Sequence, residues 1–178
     1  MASIKATLII FSGLPGTGKT AIAQELARQI GAVHLRIDSI EQAMRDSGKV
    51  SQSLDDAGYR IAFAVAEDNL RVGHTVIADS VNPIKLTRDA WRCVAERAGV
   101  NAVEVEVICS DLDEHRRRVE SRASDIANLK LPTWKDVVAR EYEPWEREHI
   151  LIDTAGRTVE ECVLTLRRQL PVNLASGK

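Results

Sequence analysis

The chain has 178 residues, 44% of them hydrophobic and 28% charged, and its 24 basic against 26 acidic side chains give a formal net charge of −2. One domain with an apolar core fits that length, and disorder, a collagen-like repeat or a disulfide scaffold do not fit the composition. The balanced charge excludes a protein held to DNA or an anionic membrane by unspecific attraction, and 4% aromatic residues is too few for a broad base-stacking platform.

Cys93, Cys109 and Cys162 are odd in number, widely spaced and lack any CxxC pair. They read as buried thiols in a reducing cytosol, without zinc-ligand spacing. The first apolar stretch, Ala6–Phe11, is far short of the ~20 residues a membrane span needs. No basic leader or small-residue cleavage pattern precedes the Gly-rich turn, so a cytoplasmic protein is expected.

In chain order, Thr7–Ser12 predicts a short buried strand, followed by a Gly-rich turn and a helix over Ala21–Ile30 that stops at Gly31. Val33–Asp38 predicts a second strand. A long helix is expected after Ser51, with Ala57, Ile61, Ala64, Val65 and Val72 on its buried face. Thr75–Asp79 predicts a third strand, and Pro83–Ala98 a helix with proline in its first turn. Val103–Cys109 is a fourth strand whose Val–Glu alternation predicts an edge position with one wet face.

A highly charged helix is expected over Asp111–Ser124, then a mobile connection around Ala127–Pro132. Ile150–Asp153 is a fifth strand, and Thr158-x-x-Glu161 is a capping box that opens a last helix closed by Pro171. Strands alternating with helices imply βαβ units, and hence a parallel sheet covered on both faces. No internal repeat, low-complexity tract or linker divides the chain.

The segment Gly13-Leu14-Pro15-Gly16-Thr17-Gly18-Lys19-Thr20 satisfies GxxxxGK[ST] in full, between a buried strand and an Ala-rich helix. Glycines let the backbone wrap an anion with its N–H groups inward, and the helix that follows adds its own free N–H groups. Lys19 supplies a cation for the β- and γ-phosphates, and the Thr20 hydroxyl a ligand for Mg²⁺. Gly13, Pro15, Gly16, Thr17, Gly18, Lys19 and Thr20 therefore form the expected ATP or GTP site. A dinucleotide fingerprint does not fit, because Ala21 stands where its third glycine belongs.

Ligands of open α/β sheets sit beyond the carboxyl ends of the strands. Asp38 and Asp79 are expected there, one to accept a proton from an attacking hydroxyl and the other to support Mg²⁺. A helix-capping role is the competing reading of Asp38. Ser80 and Asn82 would line the acceptor pocket or form the turn before Pro83.

Glu114–Arg122 holds four of the chain's arginines. Arg118 and Arg122, four apart, share a helix face and would clamp one polyphosphate, ahead of Arg116 and Arg117. Such a lid would stabilise the transferred group and exclude water; a solvated charged face is the alternative. Trp134 and Trp145 would wall an acceptor, stack on a base or pack the lid. Arg88 reads as a surface arginine, with a substrate contact as the alternative, the four histidines carry no assigned role, and Thr154-Ala155-Gly156 is a topological candidate for an adenine contact.

The loop GLPGTGKT, the segments RIDSIEQAM and VIADSVNP, and the Arg-rich helix followed by ILIDT resemble the small P-loop kinases over about Thr7–Leu170. They are similar in particular to the zeta-toxin-like group with chloramphenicol phosphotransferase and polynucleotide 5′-hydroxyl kinase. The resemblance implies a three-layer α/β P-loop NTPase fold with a five-stranded parallel sheet and a helical lid. It also implies one kinase domain over 1–178 with a lid insertion at about 111–135. Asp38 would be the catalytic aspartate, aided by Lys19 and by lid arginines within Arg116–Arg122.

Two departures stand out. Glu41 replaces the basic residues by which polynucleotide enzymes hold the acceptor phosphate, and Arg36 replaces the first Asp of the shikimate-kinase Asp-x-Asp pair. Nucleic acid is thereby disfavoured as a partner, and a small-molecule hydroxyl is the expected acceptor, with ATP and Mg²⁺ as cofactors. A polynucleotide kinase and an ATPase or NTP-binding switch are the alternatives; the oligomeric state is left open.

Overall fold

The structure is a computed structural model and describes residues 6–48 and 56–171. Five strands form one parallel sheet: β1 (Thr7–Ser12), β2 (Val33–Arg36), β3 (Val76–Asp79), β4 (Asn101–Ile108) and β5 (Ile150–Asp153), in the order β2-β3-β1-β4-β5. Among the described residues seven helices connect and cover them: α1 (Lys19–Ile30), α2 (Ile37–Asp46), α3 (Ala57–Arg71), α4 (Lys85–Ala98), α5 (Leu112–Ser121), α6 (Trp134–Val138) and α7 (Val159–Gln169).

Strand β1 lies at the centre and is buried along its whole length, because both faces of the sheet are covered. Ile9 and Phe11 point into a core with Ile22 and Leu26 of α1 and Val163 and Leu166 of α7. Leu8 and Ile10 point the other way, toward Ala62, Ala66 and Leu70 of α3 and Trp91 and Val94 of α4. The result is the expected three-layer α/β fold, with the turn after β1 at the carboxyl edge of the sheet.

Several boundaries differ from the sequence expectation. Strand β2 ends at Arg36, so Asp38 lies in the first turn of α2. Pro83 precedes α4 rather than standing in its first turn. Helix α5 ends at Ser121, with Arg122 already extended. The start of the long third helix after Ser51 falls partly outside the described residues, and α3 begins at Ala57. The Thr158–Glu161 capping box is present as expected.

Strand β4 is interior, not an edge. Its Glu104 side chain is buried, but Arg92 of α4 and Arg147 bring their guanidinium groups to it, so the polar face meets cations instead of water. Helix α3 buries the opposite stripe from the one expected: Ile61, Val65 and Val72 are exposed. Gly58, Ala62 and Ala66 face inward, where small residues let α3 approach its neighbours closely. Cys109 and Cys162 are buried, whereas Cys93 is exposed. Among the described residues no helix is long and apolar enough to cross a membrane.

Candidate active site

The phosphate loop is shaped by contacts that its glycines make possible. Gly16 has φ +87°, and a Cβ there would stand 2.4 Å from Val119 Cγ2 of α5, so only glycine fits under that helix. The loop is fastened from three sides: Gly13 N–H donates to Val81 O (3.0 Å), Thr17 Oγ1 to Leu14 O (3.0 Å), and Thr154 Oγ1 to Thr17 O (2.8 Å). The His115 ring N–H of α5 donates to Pro15 O at 2.9 Å, and the ring meets Trp134 edge-on. Trp134 thus packs α6 onto α5.

Behind the loop, Lys19 Nζ donates to Asp79 Oδ1 at 2.5 Å, with the two side chains 9% and 0% exposed. His34 Nε2 lies 3.2 Å from the other Asp79 oxygen. Burial alone would raise the Asp79 pKa, but Lys19 and His34 outweigh it and hold the carboxyl well below the usual carboxylate range. Register makes this meeting possible, since Arg36 of β2 pairs with Asp79 of β3 and His34 sits two residues earlier on the same face.

A cavity of about 1030 Å³ opens in front of the loop. Leu14, Pro15, Gly16, Gly18, Lys19 and Thr20 form its floor, Asp38 and Glu41 one wall, and Arg118 and Arg122 another. Asp38 is not a cap: α2 begins after an extended Arg36 with no side-chain cap, so the Asp38 carboxylate is half-exposed into the cavity. As the acidic residue of the first turn, it gains from the positive end of the α2 dipole.

Arg36 is held by Asp125 (2.7 Å) and faces Asp38 at 3.9 Å. Despite burial, Asp125, Asp79 and Asp38 keep its pKa raised.

Arg118 and Arg122 reach the same cavity but not the same point. Arg118 donates to Thr154 Oγ1 (2.7 Å) and Thr154 O (3.0 Å), beside Gly18. Arg122 follows the helix end; burial lowers its pKa, partly offset by Asp38, and its Nε has no hydrogen-bond partner. Arg116 pairs with Glu120 on the exposed side, and Arg117 is exposed as well.

Several expectations are corrected. Arg88 is 2% exposed rather than on the surface, and donates to the carbonyls of Asn82, Pro83, Glu143 and Pro144. It also lies over the rings of Tyr142 and Trp145, so Trp145 packs on Arg88 and His149, outside the lining of the cavity before the phosphate loop. Ser80 and Asn82 are buried outside the cavity lining, Asn82 donating to Phe11 O. His34 and His115, given no role from sequence, support Asp79 and the loop.

Comparison with known proteins bears on the family and the fold. A protein of Aeropyrum pernix named "Probable adenylyl-sulfate kinase" is 28% identical over 169 residues, covering 89% of each chain. An uncharacterized protein of Mycobacterium tuberculosis is 30% identical over 162 residues, covering 84% of this chain, which spans only 32% of that longer protein. The fold matches the APS kinase of Mycobacterium tuberculosis solved with AMPPNP and APS, at TM-score 0.70 and 22% identity over 97% and 99% of the two chains. These likenesses do not establish the narrower zeta-toxin-like group. Residues 8–144 match the AAA_33 family, described as an AAA domain, and with its phosphate loop and kinase relatives the chain belongs to that family of P-loop kinases.

Proposed function

We propose that the protein transfers the γ-phosphoryl group of ATP to a hydroxyl of a small-molecule acceptor. The observation that carries this reading is the Asp38 carboxylate, half-exposed in the same cavity as Lys19, Thr20 and Arg122. A carboxylate beside a phosphate loop has a use in accepting a proton, which nucleotide binding alone does not require. The kinase names of the relatives support the same class of reaction.

In this reading the loop amides and Lys19 hold the β- and γ-phosphates. Asp38 orients the acceptor hydroxyl and takes its proton as the oxygen bonds to the γ-phosphorus. The bond to the β–γ bridging oxygen breaks, and ADP leaves with that electron pair. Arg118, fixed on Thr154 beside Gly18, and Arg122, facing Asp38, stabilise charge on the transferred group.

The residues present fit Mg²⁺. Thr20 offers a hydroxyl on the cavity floor, whereas Asp79, with its oxygens on Lys19 and His34 and outside the cavity lining, would serve Mg²⁺ only indirectly, through Lys19 or water. Bound with the nucleotide, Mg²⁺ would neutralise phosphate charge, held chiefly by phosphate oxygens and water. Residues 111–135 act as the lid, although the His115 and Val119 contacts root α5 on the loop, so the movable part is the stretch that begins near Arg122.

The test is transfer from γ-labelled ATP to a screen of antibiotics, nucleosides, sugars and oligonucleotides. Labelled small-molecule product with little acceptor-free hydrolysis is expected. Labelling of oligonucleotides alone, or hydrolysis at full rate without acceptor, would overturn the reading.

A further inference from the structure

Glu41 faces the cavity one turn after Asp38 on the same side of α2. Its seat is unusual. Gly58, buried in the first turn of α3, lies so close that a Cβ there would stand 2.5 Å from Glu41 Cγ and 3.1 Å from Oε1. The backbone of α3 thus gives up a side chain to let the Glu41 carboxylate pack sideways into the cavity wall. Arg45 donates to one of its oxygens at 3.3 Å, and an ionised carboxylate has further acceptor sites. Neither the phosphate loop nor Asp38 needs this group.

We infer that Glu41, seated on Gly58, is a specificity-determining residue that accepts a hydrogen bond from a second hydroxyl of the acceptor, next to the one phosphorylated. The inference rests on the kinase reading above and names its substrate class: a vicinal diol or polyol. The charges narrow the choice. An anionic group beside Asp38 and Glu41 would meet two carboxylates, as like charges. A cationic group would meet a cavity lined by seven Lys and Arg side chains against four carboxylates. A neutral hydroxyl donates to Glu41 and offends neither. A half-buried carboxylate placed to receive a hydroxyl also rejects the analogue that lacks it, because it is then left unpaired.

The experiment measures transfer from γ-labelled ATP to glycerol, myo-inositol and D-glucose, each beside its analogue lacking the neighbouring hydroxyl, with adenylyl sulfate and its 2′-deoxy analogue as an anionic pair. Wild type is expected to prefer at least one polyol over its deoxy partner by about tenfold to a hundredfold in kcat/KM. Glu41→Gln, which keeps an acceptor oxygen, should retain part of that preference, and Glu41→Ala should lose it. Gly58→Ala tests the seat: alanine suits a helix better than glycine, so the fold is kept while the new methyl turns Glu41 away. It should lose the preference with the KM for ATP unchanged.

Equal use of polyol and deoxy analogue, or full discrimination by Gly58→Ala, overturns the inference. Phosphorylation of adenylyl sulfate and of its 2′-deoxy analogue at equal rates would also overturn it while leaving the kinase reading intact. Absence of transfer to every acceptor would count against both.

Discussion

Replacing Asp79 by Asn isolates the buried pair behind the phosphate loop. The Lys19 and Asp79 side chains are 9% and 0% exposed, so solvent screens their attraction little. Asn keeps a hydrogen-bonding group for His34 but leaves the Lys19 ammonium without its counter-charge. Breaking one partner of a buried pair costs about 3–5 kcal/mol, and the retained polar group puts this case near 3. In a domain of this size that lowers Tm by about 6–12 °C.

Nucleotide changes the sum, because phosphates then supply negative charge to Lys19. The penalty should therefore shrink with ligand, and the Tm rise on adding ATP without metal should be larger in Asp79→Asn than in wild type. Differential scanning fluorimetry with and without ATP measures both. An equal deficit in the two states, or a nucleotide-free loss below about 2 °C, would refute the argument. pH gives a second check: the folded pKa of Asp79 is depressed, so its contribution is complete above the usual carboxylate range of about 4 and fades as pH falls below it. The gap between wild type and Asp79→Asn should close on acidification.

Arg88→Ala removes donors to four backbone carbonyls and the cation under Tyr142 and Trp145; a loss of about 2–4 kcal/mol is expected, with amide exchange in 142–147 accelerated. His115→Ala frees Pro15 O and undermines Trp134, so the KM for ATP should rise about tenfold with a smaller effect on acceptor KM. Cys93 alone should react rapidly with a thiol reagent in the folded protein, since Cys109 and Cys162 are buried and burial pushes both thiols up; mass spectrometry of quenched aliquots shows the order.

The phosphate-loop motif is legible because it is local: its glycines, Lys19 and Thr20 occupy neighbouring positions on one turn. Strand identities were legible for the same reason. The errors come from groups that meet across long stretches of chain. The alternating glutamates of β4 imitate a wet edge, and Arg92 of α4 together with Arg147, 43 residues beyond Glu104, turns that face inward. In α3 the larger apolar residues drew the buried face, while close packing selected Gly58, Ala62 and Ala66.

His34 carried a faint signal, a polar ring in a short strand two residues before Arg36. Arg88 carried none, because its carbonyl partners at Glu143 and Pro144 come from a segment without regular structure. Asp38 is expected at the end of the second strand and instead lies in the first turn of α2, still at the carboxyl edge of the sheet, because the chain turns helical immediately after Arg36.

The central claim is that Asp38 serves transfer and not nucleotide binding. It is tested by comparing wild type and Asp38→Asn for ATP affinity by calorimetry and for labelled-phosphoryl transfer to an acceptor found in the screen. ATP affinity within about twofold of wild type and transfer reduced by about 10²–10⁴-fold are expected. Transfer at the wild-type rate in Asp38→Asn would contradict it.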